Sequence, residues 1–99
     1  MPLRYYVVSY DLRGEVGPQD YIRLSDALRT APEFCRALLS FWIVGTSLSP
    51  SEIVTNLRAG LFVDPTDGIV VLEITGRGDY FGIAHPAALQ WLQARITRT

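Results

Sequence analysis

Lysine is absent from this 99-residue chain, and all nine of its basic residues are arginine. The net charge is −1, so the chain lacks the overall positive charge that nucleic-acid-binding domains usually carry. Five of the arginines fall within the first 36 residues. This clustering leaves two interpretations open: a local basic surface, or arginines scattered over solvated faces.

Cysteine and histidine occur once each, which excludes several kinds of site. The single cysteine, Cys35, cannot form a disulfide within the chain and is better explained as a small buried residue than as a nucleophile. The single histidine, His85, excludes a zinc cluster and a two-histidine relay within one chain. Its position before Pro86 favours a helix N-cap.

Long apolar runs are also missing. None approaches the roughly 18 residues that a membrane-spanning helix needs, and the N-terminus lacks the charged and apolar regions of a secretory signal. We therefore expect a cytoplasmic protein that does not enter a membrane.

Apolar residues nevertheless make up 48% of the chain. The length predicts one domain, residues 1–99. That apolar share exceeds what the single core of so small a domain hides comfortably. We therefore expect a second buried surface, most simply a homodimer interface.

The clearest strand is Arg4–Asp11, which is apolar or aromatic on both alternating faces. This pattern predicts a central strand covered on both sides. Asp11 stands at its C-terminal end, where folds of this kind often place their chemistry. Two interpretations remain for Asp11: a catalytic carboxylate, or a residue that merely turns the chain.

The rest of the pattern alternates helices and strands. A helix is predicted from about Asp20 to Thr30 and an apolar β region from Leu38 to Thr46, with residues 34–37 open as a partner strand. Ser49, Pro50 and Glu52 predict a second helix that begins with a capping box. The last predicted strand is Ile69–Thr75.

The remaining segment is predicted to be a C-terminal helical tail, residues 84–99. Residues 76–79 are expected to form a hairpin turn, with a short strand at 80–83 left open, and His85-Pro86 opens the last helix. The whole order predicts a ferredoxin-like α+β sandwich, βαββαβ, with an extra C-terminal helix and a mainly antiparallel sheet.

Chemical motifs are few. Gly76-Arg77-Gly78 lacks the further residues of a phosphate-binding loop, and neither Ser9 nor Ser40 has a neighbouring base for a hydrolase triad. One carboxylate does not make a magnesium site. A two-fold dimer, however, can bring Asp11 beside its own copy.

The chain resembles a superfamily that contains the small subunit of the CRISPR spacer-acquisition complex and the virulence-associated D ribonucleases. The resemblance lies in Val7–Asp11, in Leu39–Val44 and in the capped helix at Leu48–Glu52. Ser40–Thr46 and Trp91-Leu92 are most similar to a branch of small bacterial proteins labelled SinR-like.

The resemblance implies a ferredoxin-like homodimer in which Asp11 binds a magnesium ion shared between subunits and Ser40 matches a site serine. We therefore expect a metal-dependent endonuclease acting on RNA or DNA, with Asp11 catalytic. Arg13, close to Asp11 in the sequence, and Ser40 are the candidate residues for contact with the nucleic acid. Two alternatives remain: a non-catalytic dimeric adaptor or regulator that binds a protein through its C-terminal helix, and a nucleic-acid-binding module without catalysis.

Overall fold

The computed structural model describes residues 2–13 and 17–99. The loop that the sequence predicts after Asp11 includes residues 14–16, which lie outside the described residues. The elements are, in chain order, β1 (Arg4–Asp11), α1 (Pro18–Leu28), β2 (Glu33–Leu38), β3 (Phe41–Thr46), α2 (Pro50–Ala59), β4 (Gly68–Glu73), β5 (Arg77–Gly78), α3 (Pro86–Arg95) and β6 (Thr97–Arg98). None of the helices in these described ranges has the length and hydrophobicity needed to cross a membrane.

Four strands form one sheet in the order β2-β3-β1-β4, and every neighbouring pair is antiparallel. β1 lies between β3 and β4, so Tyr6 is opposite Val44 on one side and Glu73 on the other. The α+β class with a mainly antiparallel sheet is therefore confirmed, and so is the central place of β1.

The first face of the sheet packs against α1 and α2. Alternate side chains of β1 point to this face, because successive residues of a strand point to opposite sides. The buried side chains of this layer are Tyr6, Val8, Tyr10, Leu12, Leu24, Leu28, Trp42, Val44, Ile53, Leu57 and Val63. They form the larger of the two cores.

The second face is covered by α3 over only part of its width. Ala88 and Leu92 of α3 are buried against Cys35 and Ile43 of β2 and β3. Burial of Cys35, at 3% exposure, confirms its prediction as a small core residue. Tyr5 and Val7 of β1 also pack against this core, whereas Val70 and Leu72 of β4 extend beyond the helix and are exposed.

The capping residues predicted the start of α2 correctly, whereas the predicted start of α1 was displaced by two residues. Ser49 Oγ accepts a hydrogen bond from the Glu52 N–H at 3.1 Å, and Glu52 accepts one from the Ser49 N–H at 3.1 Å, so the capping box is confirmed. α1 begins two residues earlier than predicted, because Pro18 occupies its first turn and Asp20 accepts a hydrogen bond from the Gly17 N–H.

The predicted continuous β region 38–46 is wrong, because a turn divides it. β2 ends at Leu38 and β3 begins at Phe41, so residues 34–37 belong to a full strand and residues 39–40 form the turn. The Leu39 carbonyl accepts hydrogen bonds from Arg36 Nε and Nη2, at 3.1 and 2.8 Å. These contacts hold the turn in a stretch whose apolar composition resembles a strand.

The predicted hairpin turn at 76–79 is also wrong. Arg77–Gly78 is a short strand that pairs in parallel with Thr97–Arg98, while residues 80–83 lie in neither helix nor strand. The carbonyls of Gly76 and Gly78 accept hydrogen bonds from the N–H groups of Thr97 and Thr99, at 2.7 and 3.0 Å. The partner strand lies about twenty residues further along the chain, so a local pattern does not reveal it.

Candidate functional site at the end of the central strand

Asp11 is the last residue of β1 and lies opposite Gly68, the first residue of β4. Its side chain is 71% exposed. Because strand residues alternate between faces, Asp11 shares the second face of the sheet with Val7 and Ser9. The carboxylate is thus accessible to solvent at the end of a strand whose other residues are largely covered.

Arg13 contacts the carboxylate of Asp11 directly. Its Nε donates a hydrogen bond to Oδ2 of Asp11 at 3.1 Å. Both side chains are well exposed, and an ion pair of this kind contributes little stability. A ligand can therefore separate the two groups at small cost.

Gly68 leaves room for the Arg13 side chain. A Cβ atom at position 68 would come within 3.0 Å of Arg13 Nη2 and 4.0 Å of the Asp11 Cβ. The guanidinium group therefore lies over the start of β4, on the same face as Asp11. Any side chain at position 68 would have to displace it.

Asp67 fixes the chain that follows Asp11. Its Oδ1 accepts a hydrogen bond from the Arg13 N–H at 2.8 Å, and its Oδ2 accepts one from the Asp64 N–H at 3.0 Å. The sequence pattern assigned Asp64 and Asp67 to a turn, which is confirmed by the hydrogen bond from the Asp67 N–H to the Asp64 carbonyl. The contact with Arg13 spans 54 residues and has no local signal.

Asp64 uses its carboxylate inside this turn. The hydroxyl and the N–H of Thr66 both donate to Oδ1 of Asp64, at 2.6 and 2.7 Å. These hydrogen bonds, the hydroxyl first, hold the pKa of the Asp64 carboxyl below its usual range. Asp64 is therefore a structural acid of the turn before β4.

Ser40 lies at the same end of the sheet, on the β3 side. Its carbonyl accepts a hydrogen bond from the Tyr10 N–H at 3.4 Å. Tyr10 Oη in turn accepts from Trp42 Nε1 at 3.1 Å. Among the described residues, the structure brings Arg13 rather than Ser40 into contact with the Asp11 carboxylate.

A strip that α3 covers only in part adjoins Asp11 on the second face of the sheet. The strip consists of three cross-strand pairs, Val7–Leu72, Ser9–Val70 and Asp11–Gly68, and we call it the open face. Val7 also packs against the core under α3, so the exposed apolar part of the strip lies on β4. Val70 is 52% exposed and Leu72 is 60% exposed. An exposed apolar strip next to a strand-end carboxylate is a feature that the sequence pattern did not reveal.

Magnesium is the metal that the resemblance implies, so the donor atoms at Asp11 have to be compared with its needs. Within residues 2–13 and 17–99, no three histidine, cysteine or acidic residues are grouped so that they could hold a metal ion. Magnesium is often bound by one or two carboxylates, with waters or substrate oxygens completing the octahedron. Asp11 is a single carboxylate, and a second copy of the chain would supply another.

Comparisons of the chain with models of known protein families, with curated proteins and with solved structures found no match.

Proposed function

We propose that this protein is a cytoplasmic homodimer that cleaves phosphodiester bonds of RNA or DNA, using a magnesium ion held between two Asp11 carboxylates. The observation that carries this proposal is that Asp11 lies on the same sheet face as the exposed residues Val70 and Leu72. An interface that covers these two residues therefore also approaches Asp11.

The proposed fold type is ferredoxin-like. The first four strands and two helices follow the order βαββαβ, and the sheet order taken from the β4 edge is 4-1-3-2. Two helices on one face of a four-stranded antiparallel sheet support this description. In that arrangement α3 is an addition that packs on the second face.

The proposed interface is the open face. Two copies related by a two-fold axis present the same surface to each other, so Val70 and Leu72 of one protomer would meet those of the other. Asp11 is two residues from Ser9, about 7 Å along the strand. An axis that runs along the strip and past its Asp11–Gly68 end would bring the two carboxylates together while Val70 and Leu72 meet their copies.

The residues around Asp11 have separate roles in the proposed reaction. Magnesium, when bound, would activate water and stabilise negative charge on the phosphate. Asp11 would hold the ion, and Arg13 would leave its ion pair with Asp11 and donate hydrogen bonds to a phosphate oxygen. Ser40 would contact the sugar-phosphate backbone from the β3 side.

The test compares cleavage of labelled RNA and DNA by wild-type protein, Asp11→Asn and Asp26→Asn, with and without Mg²⁺. Asp26 is a matched control, since its side chain is 69% exposed and also pairs with an arginine, Arg29. We expect Mg²⁺-dependent cleavage that is lost in Asp11→Asn and retained in Asp26→Asn. Calorimetry should likewise show that Mn²⁺ binds to the wild-type and Asp26→Asn dimers and not to the Asp11→Asn dimer.

Equal activity of all three proteins would mean that cleavage does not depend on Asp11. If the wild-type protein is dimeric but neither cleaves nor binds the metal, the nuclease proposal fails.

The second candidate function is a non-catalytic dimeric adaptor. It is favoured by apolar side chains that remain exposed outside the open face, since Leu39 is 82% exposed and Phe81 is 97% exposed. Surfaces of this kind mark interaction sites when they are contiguous. In an adaptor, Asp11→Asn would leave both dimerisation and partner binding unchanged, whereas a nucleic-acid-binding module would show binding that weakens steeply with salt.

A further inference from the structure

The outer edge of β2 is unpaired in the part of the chain that the structure describes, because β2 ends the sheet order and its strand neighbour there is β3. In an edge strand, alternate backbone N–H and C=O groups point away from the sheet. β2 has six residues, so about three of them present free N–H and C=O groups to a partner strand.

A groove with a volume of about 900 Å³ runs along this edge. Ala84, Ala87 and Trp91, from α3 and the segment before it, lie on one side. Phe34 and Leu38 of β2 lie on the other side, and both are more than 40% exposed. The walls are therefore mainly apolar.

Two arginines supply the permanent charge of the groove. Arg29 and Arg36 line it together with His85, and no aspartate or glutamate of the described ranges lines it. The guanidinium carbons of Arg29 and Arg36 lie 5.3 and 5.5 Å from the centre of the Trp42 ring. The ring thus helps to fix both cations at the edge of β2.

Both guanidinium groups keep donors available for a ligand. Arg36 donates to the Leu39 carbonyl through Nε and Nη2, which uses two of its five N–H groups. Arg29 pairs with Asp26 at 3.5 Å, and both of these side chains are about half exposed or more. A carboxylate entering the groove can therefore be bound by either arginine.

We propose that the β2 edge binds an extended acidic segment of a partner protein, which adds to the sheet as a fifth strand. Strand addition satisfies the free N–H and C=O groups of the edge together. The phosphates of a nucleic acid only accept hydrogen bonds and would leave the carbonyl groups of the edge unsatisfied, and a second copy of this edge would bring another pair of Arg29 and Arg36 side chains into the groove. A carboxylate-bearing strand matches both the backbone and the charge.

The geometry also specifies the sequence pattern of this segment. Side chains of the added strand would alternate between the two faces of the sheet. Those on the first face would meet Arg29 and Arg36, and those on the second face would meet the apolar wall formed by Ala87 and Trp91. The expected ligand is therefore about six residues long, with acidic and apolar residues in alternation.

The test uses two fluorescent, end-blocked peptides of identical composition, one with alternating glutamate and valine and one with the glutamates in a single block. Binding to the full chain is measured by fluorescence anisotropy. We expect the alternating peptide to bind about tenfold more tightly than the block peptide, because only alternation places every carboxylate on the arginine side. Amide hydrogen exchange should slow at every second residue of Glu33–Leu38.

Arg29→Ala is the test variant, and Arg23→Ala is its matched control. Both arginines belong to α1 or its C-cap, but Arg23 lies over Phe62, away from the groove. We expect Arg29→Ala to weaken binding of the alternating peptide by about three- to fivefold, as for a partly exposed ion pair, and Arg23→Ala to leave it unchanged.

Three results would overturn the proposal: equal affinity for the two peptides, equal loss in the two arginine variants, or binding of a single-stranded oligonucleotide that depends on Arg29 when neither peptide binds. The proposal does not rest on the phosphodiesterase function, so Asp11→Asn should bind the alternating peptide normally.

Discussion

Leu72→Ala tests the dimer interface on which the proposed metal site depends. Leu72 is 60% exposed and Val70 is 52% exposed in the single chain. Complete burial of such a side chain is worth about 1.5–3 kcal/mol, so covering the exposed part of Leu72 would contribute about 1–1.5 kcal/mol. A two-fold interface contains this contact twice, which gives about 2–3 kcal/mol for the dimer.

The expected result follows from that free energy. A loss of about 2–3 kcal/mol corresponds to a dissociation constant that rises about 30- to 150-fold. The monomer should keep its fold, since replacing an exposed side chain seldom changes stability by much. Sedimentation equilibrium over a dilution series measures the dissociation constant, and circular dichroism checks the fold.

Ile22→Ala is the matched control for Leu72→Ala. Ile22 is 57% exposed on α1, and α1 packs on the opposite face of the sheet from the open face. The control should dimerise like the wild-type protein. A wild-type protein that stays monomeric at high concentration, or a Leu72→Ala dimer as tight as the wild type, would refute the assignment of the open face as the interface.

Two further predictions concern the packing of the second face and the C-terminal tail. Gly45→Ala should destabilise the protein by about 1–2 kcal/mol in urea unfolding at fixed protein concentration, because the new Cβ would lie 2.8 Å from the Tyr5 ring and 3.0 Å from the Glu33 Cβ. The penalty should shrink but not vanish in a Tyr5→Ala background, since the contact with the Glu33 Cβ remains, and a stabilised Gly45→Ala would contradict this packing. The hydrogen bond from Arg98 holds the pKa of the Asp79 carboxyl below its usual range, so the stabilisation of the tail by this pair is present above the ordinary pKa of aspartate and lost as the pH falls through the lowered value. An NMR titration should show the Asp79 pKa rising toward its usual range in Arg98→Gln, and an unchanged pKa would assign the shift to another cause.

Features that depend on neighbouring residues could be predicted from the sequence. The capping box of α2 uses groups three residues apart, so Ser49 and Glu52 signal the helix start by themselves. The alternating apolar faces of residues 4–11 likewise indicated a central strand. The candidate position of Asp11 followed directly, because it depends only on where that strand ends.

Features that depend on distant residues could not be predicted in this way. The parallel pairing of β5 with β6 joins residues about twenty positions apart, and the hydrogen bond from the Arg13 N–H to Asp67 spans 54 positions. Neither contact leaves a periodic trace in the sequence. The same holds for the open face, since exposure of Val70 and Leu72 is decided by where α3 packs.

The position of α3 determines both proposed surfaces. Arg95 donates a hydrogen bond to Glu33 at 2.7 Å, and the same carboxylate accepts one from the Tyr5 hydroxyl at 3.0 Å. The Tyr5 ring also meets Trp91 edge to face, with ring centres 5.9 Å apart. These contacts hold the C-terminal part of α3 against β1 and the start of β2.

Held there, α3 leaves the β4 edge of its sheet face uncovered, where Val70 and Leu72 are exposed, and forms one wall of the groove at the β2 edge. The open face and the groove lie at opposite edges of one four-stranded sheet. A partner strand added to β2 would therefore not compete with a two-fold contact through Val70 and Leu72. The fold can accommodate both interactions at once, and variants at Arg29 and at Leu72 should affect them independently.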